Sequence, residues 1–170
     1  DGYLWITGRA KDLIIRSGHN IDPAMIEEAL AGHEQVAFAG AIGQPDAKAG
    51  ELPCAYVELI VGATVTKEEL LAFVKEHVHE RAAVPKYMEI MSELPKTAVG
   101  KIFKPDLRKS AITRIYNAAL KDAGLDVSVV KVIESKKRGL VAQLSKSDDR
   151  ISDKTVIKVL GSFIRPWEWV

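Results

Sequence analysis

Apolar and polar positions along this chain follow two different periods. Short runs of small and branched apolar residues occur at 3–7, 13–16, 35–42, 52–60 and 85–91, and each predicts a strand. Between them lie segments of helical period. After Asp22 and Pro23, the residues Met25, Ile26, Ala29 and Leu30 share one helical face. Asp22 suits the N-cap, Pro23 the first helical position and Gly32 the end. Thr66 and Glu69 form a capping-box pair ahead of a second helix, whose apolar stripe is Leu70, Phe73, Val74 and Val78. Polar turns are expected at 43–46 and 48–51, and a loop at 94–101. The predicted order is strand, strand, helix, strand, strand, helix, strand, which is an α+β domain with helices packed on a sheet.

A second pattern follows. Residues 106–124 read as a helix ending at Gly124, and 127–133 with 140–144 as a hairpin across 135–139. Asp153 is expected to cap another helix, and 164–170 to close the chain as a Trp-rich strand. Trp167 and Trp169, two apart, share a face, and core packing is the expected use of both. This second part reads as an accessory α/β subdomain of no recognisable motif. Residues 1–108 and 109–170 are the expected units.

Composition narrows the classes. With 47% apolar residues a packed core is expected. A formal charge of +1 gives no reason for wholesale binding to nucleic acid or to an anionic membrane. The single cysteine, Cys54, cannot form an internal disulfide and reads as a small buried hydrophobe in a reducing, cytoplasmic setting. No apolar run is long enough to span a bilayer, and no signal peptide opens the sequence. It opens on Asp1-Gly2-Tyr3-Leu4-Trp5-Ile6-Thr7, a turn feeding a strand, as expected of a piece of a longer protein.

The segment Pro95-Lys96-Thr97-Ala98-Val99-Gly100-Lys101 ends in Gly-Lys but is not a phosphate-cradling P-loop. Pro95 stands where that loop needs its first glycine, and Ile102 where it needs Ser or Thr. Lys101 is then either a solvated lysine or a mobile cation delivered to oxygens that gain charge in phosphoryl or adenylyl transfer. His77 and His79 point to different helix faces, His33 is isolated, and no GxSxG occurs, so neither a metal set nor a serine triad is expected. If Lys101 is catalytic, another domain must hold its substrate.

Two segments, in this order and spacing, closely resemble the C-terminal domain of the adenylate-forming superfamily. They are DGYLWITGRAKDLIIRSGHNIDPAMIEEAL and ELPKTAVGKIFKPDLR. Gly43-Gln44-Pro45-Asp46 and Gly50-Glu51 fit the same pattern. The superfamily comprises acyl- and aryl-CoA synthetases, luciferase and peptide-synthetase adenylation domains. The resemblance covers roughly residues 1–108. It implies a mobile domain that serves two steps. ATP and a carboxylate give an acyl-adenylate and pyrophosphate; after the domain rotates, coenzyme A gives the thioester and AMP.

By that resemblance Lys101 matches the lysine of the adenylation step and Lys11 the hinge, where many relatives carry Asp. Ser17, Gly18 and His19 match the loop that faces the pantetheine arm after rotation. Arg9 and Asp12 match interdomain or hinge-supporting positions. Asn20 departs from relatives that carry Arg there. Glu27 matches the motif's helix acid, though a solvated helix face accounts for it equally. ATP, Mg2+ and coenzyme A would be held mainly by an N-terminal adenylate-binding domain that this sequence does not contain, so the chain alone is expected to hold none of them and to be inactive. The longer ending tilts the substrate toward a fatty acid. The rivals are a peptide-synthetase adenylation domain, which residues 109–170 do not favour because they show no carrier-protein serine motif, and a non-catalytic binding or regulatory module on the same scaffold.

Overall fold

The computed structural model describes residues 12–170. The strand expected at 3–7, and the residues Arg9 and Lys11, lie outside the described residues. A five-stranded sheet is built on β4 (Gly50–Leu59). β3 (Val36–Asp46) pairs antiparallel with one edge of β4, from Val36↔Leu59 to Asp46↔Gly50. Along the other edge, β1 (Ile14–Arg16) joins antiparallel through Arg16↔Gly50, and β5 (Tyr87–Met91) runs parallel from Cys54↔Tyr87 to Glu58↔Met91. β2 (His19–Ile21) pairs antiparallel with β1.

The period of two along β4 divides the domain into layers. Ala55 and Val57 face a core with Ile14, Ile21, Ile26, Leu30, Leu70 and Val74. Cys54 and Tyr56 face a second core with Ile42, Leu94, Leu107 and Ala111. The first core is roofed by α1 (Pro23–Ala31) and α2 (Lys67–His77), the second by α3 (Lys104–Asp122). The local signals at both roof helices hold. The Asp22 carboxylate accepts from Ala24 N at 2.9 Å. Thr66 Oγ1 accepts from Glu69 N at 3.3 Å, and the Glu69 carboxylate accepts from Thr66 N at 2.8 Å. Thr66→Ala removes the hydroxyl's half of this exchange, leaves the backbone N–H of position 66 to the Glu69 carboxylate, and is expected to lower stability by about 1 kcal/mol in urea unfolding, with the denaturant slope unchanged.

α3 continues past residue 108 without interruption. Leu107 and Ala111 pack on the first sheet; Ile112, Tyr116 and Leu120 pack on the second. That sheet is β6 (Val127–Ser135), β7 (Gly139–Lys146) and β8 (Trp167–Trp169), with β6–β7 antiparallel and β7–β8 parallel. α4 (Asp153–Leu160) adds Val156 and Leu160 to its core. The expected division at residue 108 therefore falls inside a helix that serves both halves. Trp167 and Trp169 stack edge to face, 5.3 Å between centroids, and pack against this core.

Three sequence expectations are corrected. Beside them, Arg16–Asn20 forms a hairpin with a two-residue turn, Ser17-Gly18, at φ 51° and 81°. Positive φ at both positions is what a two-residue hairpin turn requires. The expected turns at 43–51 are mostly strand, because pairing persists to Asp46↔Gly50. Only residues 47–49 turn, with Asp46 Oδ1 accepting from Lys48 N and Ala49 N. α3 begins at Lys104, with Pro105 in its first turn. Ser152, not Asp153, is the N-cap of α4; Asp153 accepts from Trp169 Nε1 at 2.7 Å.

Candidate functional site

The loop that carries Lys101 is closed by backbone. Lys96 bridges Ile102, Thr97 N donates to Lys101 O at 2.7 Å, and Gly100 N donates to Thr97 O at 2.8 Å. Gly100 takes φ 78° to make the turn. Below it Phe103 N donates to Pro95 O at 2.7 Å and α3 starts one residue later. Lys101 thus stands on a tight, exposed turn fastened to a long helix.

The electrostatics single it out. Four cations lie between 95 and 108. Lys96 Nζ meets the Glu58 carboxylate at 2.8 Å and lies 4.2 Å from the Phe38 ring centre. Lys104 Nζ meets Glu27 Oε1 at 2.8 Å, and Arg108 Nη2 meets Asp12 Oδ1 at 2.8 Å. Among the described residues, Lys101 alone of the four pairs with no carboxylate. Its flank is a cleft of about 410 Å3, lined by Asp12, Thr97, Lys101, Phe103, Lys104 and Arg108 among others. Asp12 and Lys101 thus share one cleft, next to the sequence position of the expected hinge.

Ser17, Gly18 and His19 do not share it. They form the tip of the β1–β2 hairpin, where all three are exposed. Ser17 N donates to Ala49 O at 2.7 Å, and the His19 imidazole pairs with Glu80. A Cβ built on Gly18 meets nothing within 4 Å. Asp12 and Gly18 are six residues apart, and β1 runs between them. An extended chain covers at most about 20 Å over that span. The expected sites thus lie at opposite ends of one short strand.

Three residues support the site: Glu27, whose role the sequence left open, and Glu58 and Arg114, which the sequence reading missed. Glu27 is no solvated helix acid: besides Lys104 it accepts from Ala41 N at 2.8 Å, tying α1, β3 and α3 together. Glu58 accepts from Leu94 N at 2.8 Å as well as from Lys96, and so anchors the base of the lysine loop. Arg114 of α3 donates to Gln44 at 2.7 Å and lies over the Tyr87 ring. The available signal was a carboxylate on an otherwise apolar strand or helix face, which rarely stays there unpaired. Cys54 has no partner cysteine and is buried, and burial pushes its thiol up to about 12.

Hydrogen bonds from Lys96 and the Leu94 amide hold the Glu58 carboxyl below its ordinary 4.5. A carboxyl depressed by folding stabilises the native state above its unfolded pKa, and this contribution is lost as pH falls through the folded value. Urea titrations below pH 4.5 are expected to show a pH-dependent loss of stability that Glu58→Gln reduces.

Among the described residues no helix is long and apolar enough to cross a membrane, and no group of three His, Cys, Asp or Glu could hold a metal ion.

The arrangement is thus a small sheet with helices on both faces and, on a glycine turn, a lysine that pairs with no carboxylate among the described residues. Residues 25–101 match the family described as the AMP-binding enzyme C-terminal domain, and this part of the chain belongs to it. Marinolic acid–CoA ligase of a Pseudoalteromonas species is 51% identical over 131 residues, 76% of this chain and 20% of that protein. Acetyl-coenzyme A synthetase of Xylella fastidiosa is 44% identical over 114 residues, 65% of this chain and 18% of that protein. Among solved structures, a Mycobacterium tuberculosis fatty acyl CoA synthetase superposes at TM-score 0.56, with 34% identity over 63% of this chain and 21% of that one. A Brucella canis acyl-CoA synthetase gives 0.55, with 39% identity over 61% of this chain and 20% of that one. The chain spans about a fifth of the length of these relatives. A match of 131 residues cannot fit within 1–108, so the likeness to the marinolic acid ligase reaches into the second half.

Proposed function

We propose that this chain is the mobile, lysine-supplying C-terminal part of an ATP-dependent, AMP-forming acid–thiol ligase. Such an enzyme converts a carboxylic acid, fatty or related, to acyl-AMP and then to acyl-CoA in the cytoplasm. Residues 1–108 form the family's domain and 109–170 an extension packed on it. ATP, the acid and coenzyme A are taken mainly by an N-terminal partner domain. The observation that carries the reading is Lys101: its three neighbouring cations are paired, and among the described residues it pairs with no carboxylate and stands exposed on a tight turn.

In the first step the Lys101 ammonium reaches carboxylate and α-phosphate oxygens. It offsets the charge that gathers there as the acyl oxygen attacks phosphorus and pyrophosphate leaves. In the second step the domain turns about Lys11 and presents the Gly18 turn. With no side chain, Gly18 lets backbone approach the pantetheine arm. Arg9 and Asp12 support the hinge, Asp12 through Arg108. The separation of Lys101 and Gly18 along β1 suits a domain that uses two faces in turn. Mg2+ is assigned, with ATP, to the partner domain.

The test is a full-length ligase containing this segment, assayed for carboxylate-dependent pyrophosphate exchange and for thioester formation. Both activities are expected, with coenzyme A as acceptor. Turnover only with a carrier-protein thiol would instead make it a peptide-synthetase adenylation domain. Absence of both activities, with tight binding of another protein, would make it a non-catalytic module.

A further inference from the structure

We propose that Arg165, in the segment leading into β8, is a positioning residue for the Ser17-Gly18 turn. It acts through Glu51 and the backbone of β1. β1 is three residues long and pairs with β4 at one position, Arg16↔Gly50, so the ladder alone holds it weakly. A carboxylate completes the attachment. Glu51 Oε2 accepts from Ile15 N at 3.0 Å, and Glu51 Oε1 accepts from Arg165 Nη2 at 2.8 Å. The Glu51 side chain is only 9% exposed. It lies directly over Gly43, where a Cβ would stand 2.4 Å from Oε2. The space for this carboxylate is therefore made by a missing side chain.

Arg165 is itself held. Its carbonyl accepts from the buried Tyr116 hydroxyl of α3 at 2.5 Å. The side chain of its neighbour Ile164 comes within 3.8 Å of the Cβ position of Gly50. The turn residue just before Gly50 is Ala49, whose carbonyl takes the Ser17 amide at 2.7 Å. A continuous set of contacts thus runs from the end of the chain, through Arg165 and Glu51, to the strand that ends in Ser17-Gly18. None of it reaches the Lys101 loop, which is fastened by Lys96, Lys104 and Phe103. The effect of Arg165 on thioester formation rests on the proposed role of Gly18; the brace itself does not.

The experiment has two arms. In the 170-residue chain, amide exchange at Ile15 and Ser17 is followed by NMR in the wild type, Arg165→Met and Arg165→Lys. The expected result for Arg165→Met is exchange about tenfold faster at both amides with α2 amides unchanged, and partial recovery in Arg165→Lys. Unchanged exchange at Ile15, or equal acceleration throughout, overturns the brace. In the full-length ligase, Arg165→Met is expected to slow thioester formation from supplied acyl-adenylate about tenfold and to leave pyrophosphate exchange within about twofold. Equal loss in both half-reactions, or none in the second, overturns the positioning role. Lys101→Ala is assayed alongside. If it spares pyrophosphate exchange, the adenylation reading fails, and amide exchange still decides the brace.

Discussion

In a full-length ligase carrying this segment, Lys101→Ala is expected to cut carboxylate-dependent pyrophosphate exchange roughly 100- to 1,000-fold, the usual cost of removing one preorganised donor of this kind. Thioester formation from supplied acyl-adenylate should stay within about twofold of wild type. The asymmetry follows from geometry. In the proposed role Lys101 serves only the orientation in which its turn faces the adenylate, and the neighbouring cations are committed elsewhere. Lys96, Lys104 and Arg108 are held at 2.8 Å by Glu58, Glu27 and Asp12. Freeing any of them would strand a partly buried carboxylate. Lys101→Arg keeps the charge but widens and flattens the donor, and is expected to recover only a fraction of the rate. The loop should be undisturbed in all three proteins, because its closure is made by backbone. If Lys101→Ala left pyrophosphate exchange intact, the lysine would be a surface residue and the catalytic reading would fall.

The reciprocal variant is Gly18→Leu, expected to lower thioester formation about 100-fold and to leave pyrophosphate exchange within about twofold. Two effects must be separated. Any L-residue at φ 81° is strained by about 1–2 kcal/mol. Only a large one also obstructs what approaches the turn. Gly18→Ala carries the strain without the bulk and should lose far less. Because a Cβ there meets nothing within 4 Å among the described residues, the side chain starts in open space, and a loss beyond that of Gly18→Ala reports on a visitor to the turn. Equal losses in the two variants would assign the glycine to backbone conformation alone.

How much of this was legible depended on sequence distance. The caps at Asp22 and Thr66, the apolar stripes of α1 and α2 and the turn at Gly100 are settled within a few residues, and the sequence shows them. Asp12–Arg108 is 96 residues apart and Glu58–Lys96 is 38 apart. Such pairs leave no local trace, so the isolation of Lys101, the feature that distinguishes it, was invisible. β2 reads as loop because His19 and Asn20 are exposed and only Ile21 is buried. The outer parts of β3 and β4 read as turn because Gln44 and Glu51 are polar. They are buried strand residues because Arg114 and Arg165, from the second half, meet them.

α3 has 19 residues and is therefore about 28 Å long. Its first turn carries the lysine loop and its last turn lies in the second sheet. Mechanically it is a lever with its load at one end. Tilting it by about 2° about the far end would move the Lys101 turn by about 1 Å, a displacement large enough to matter to a reaction rate. Residues remote in sequence and space, such as Leu120 and Val129 at the far end, thereby set the aim of a cation they never touch.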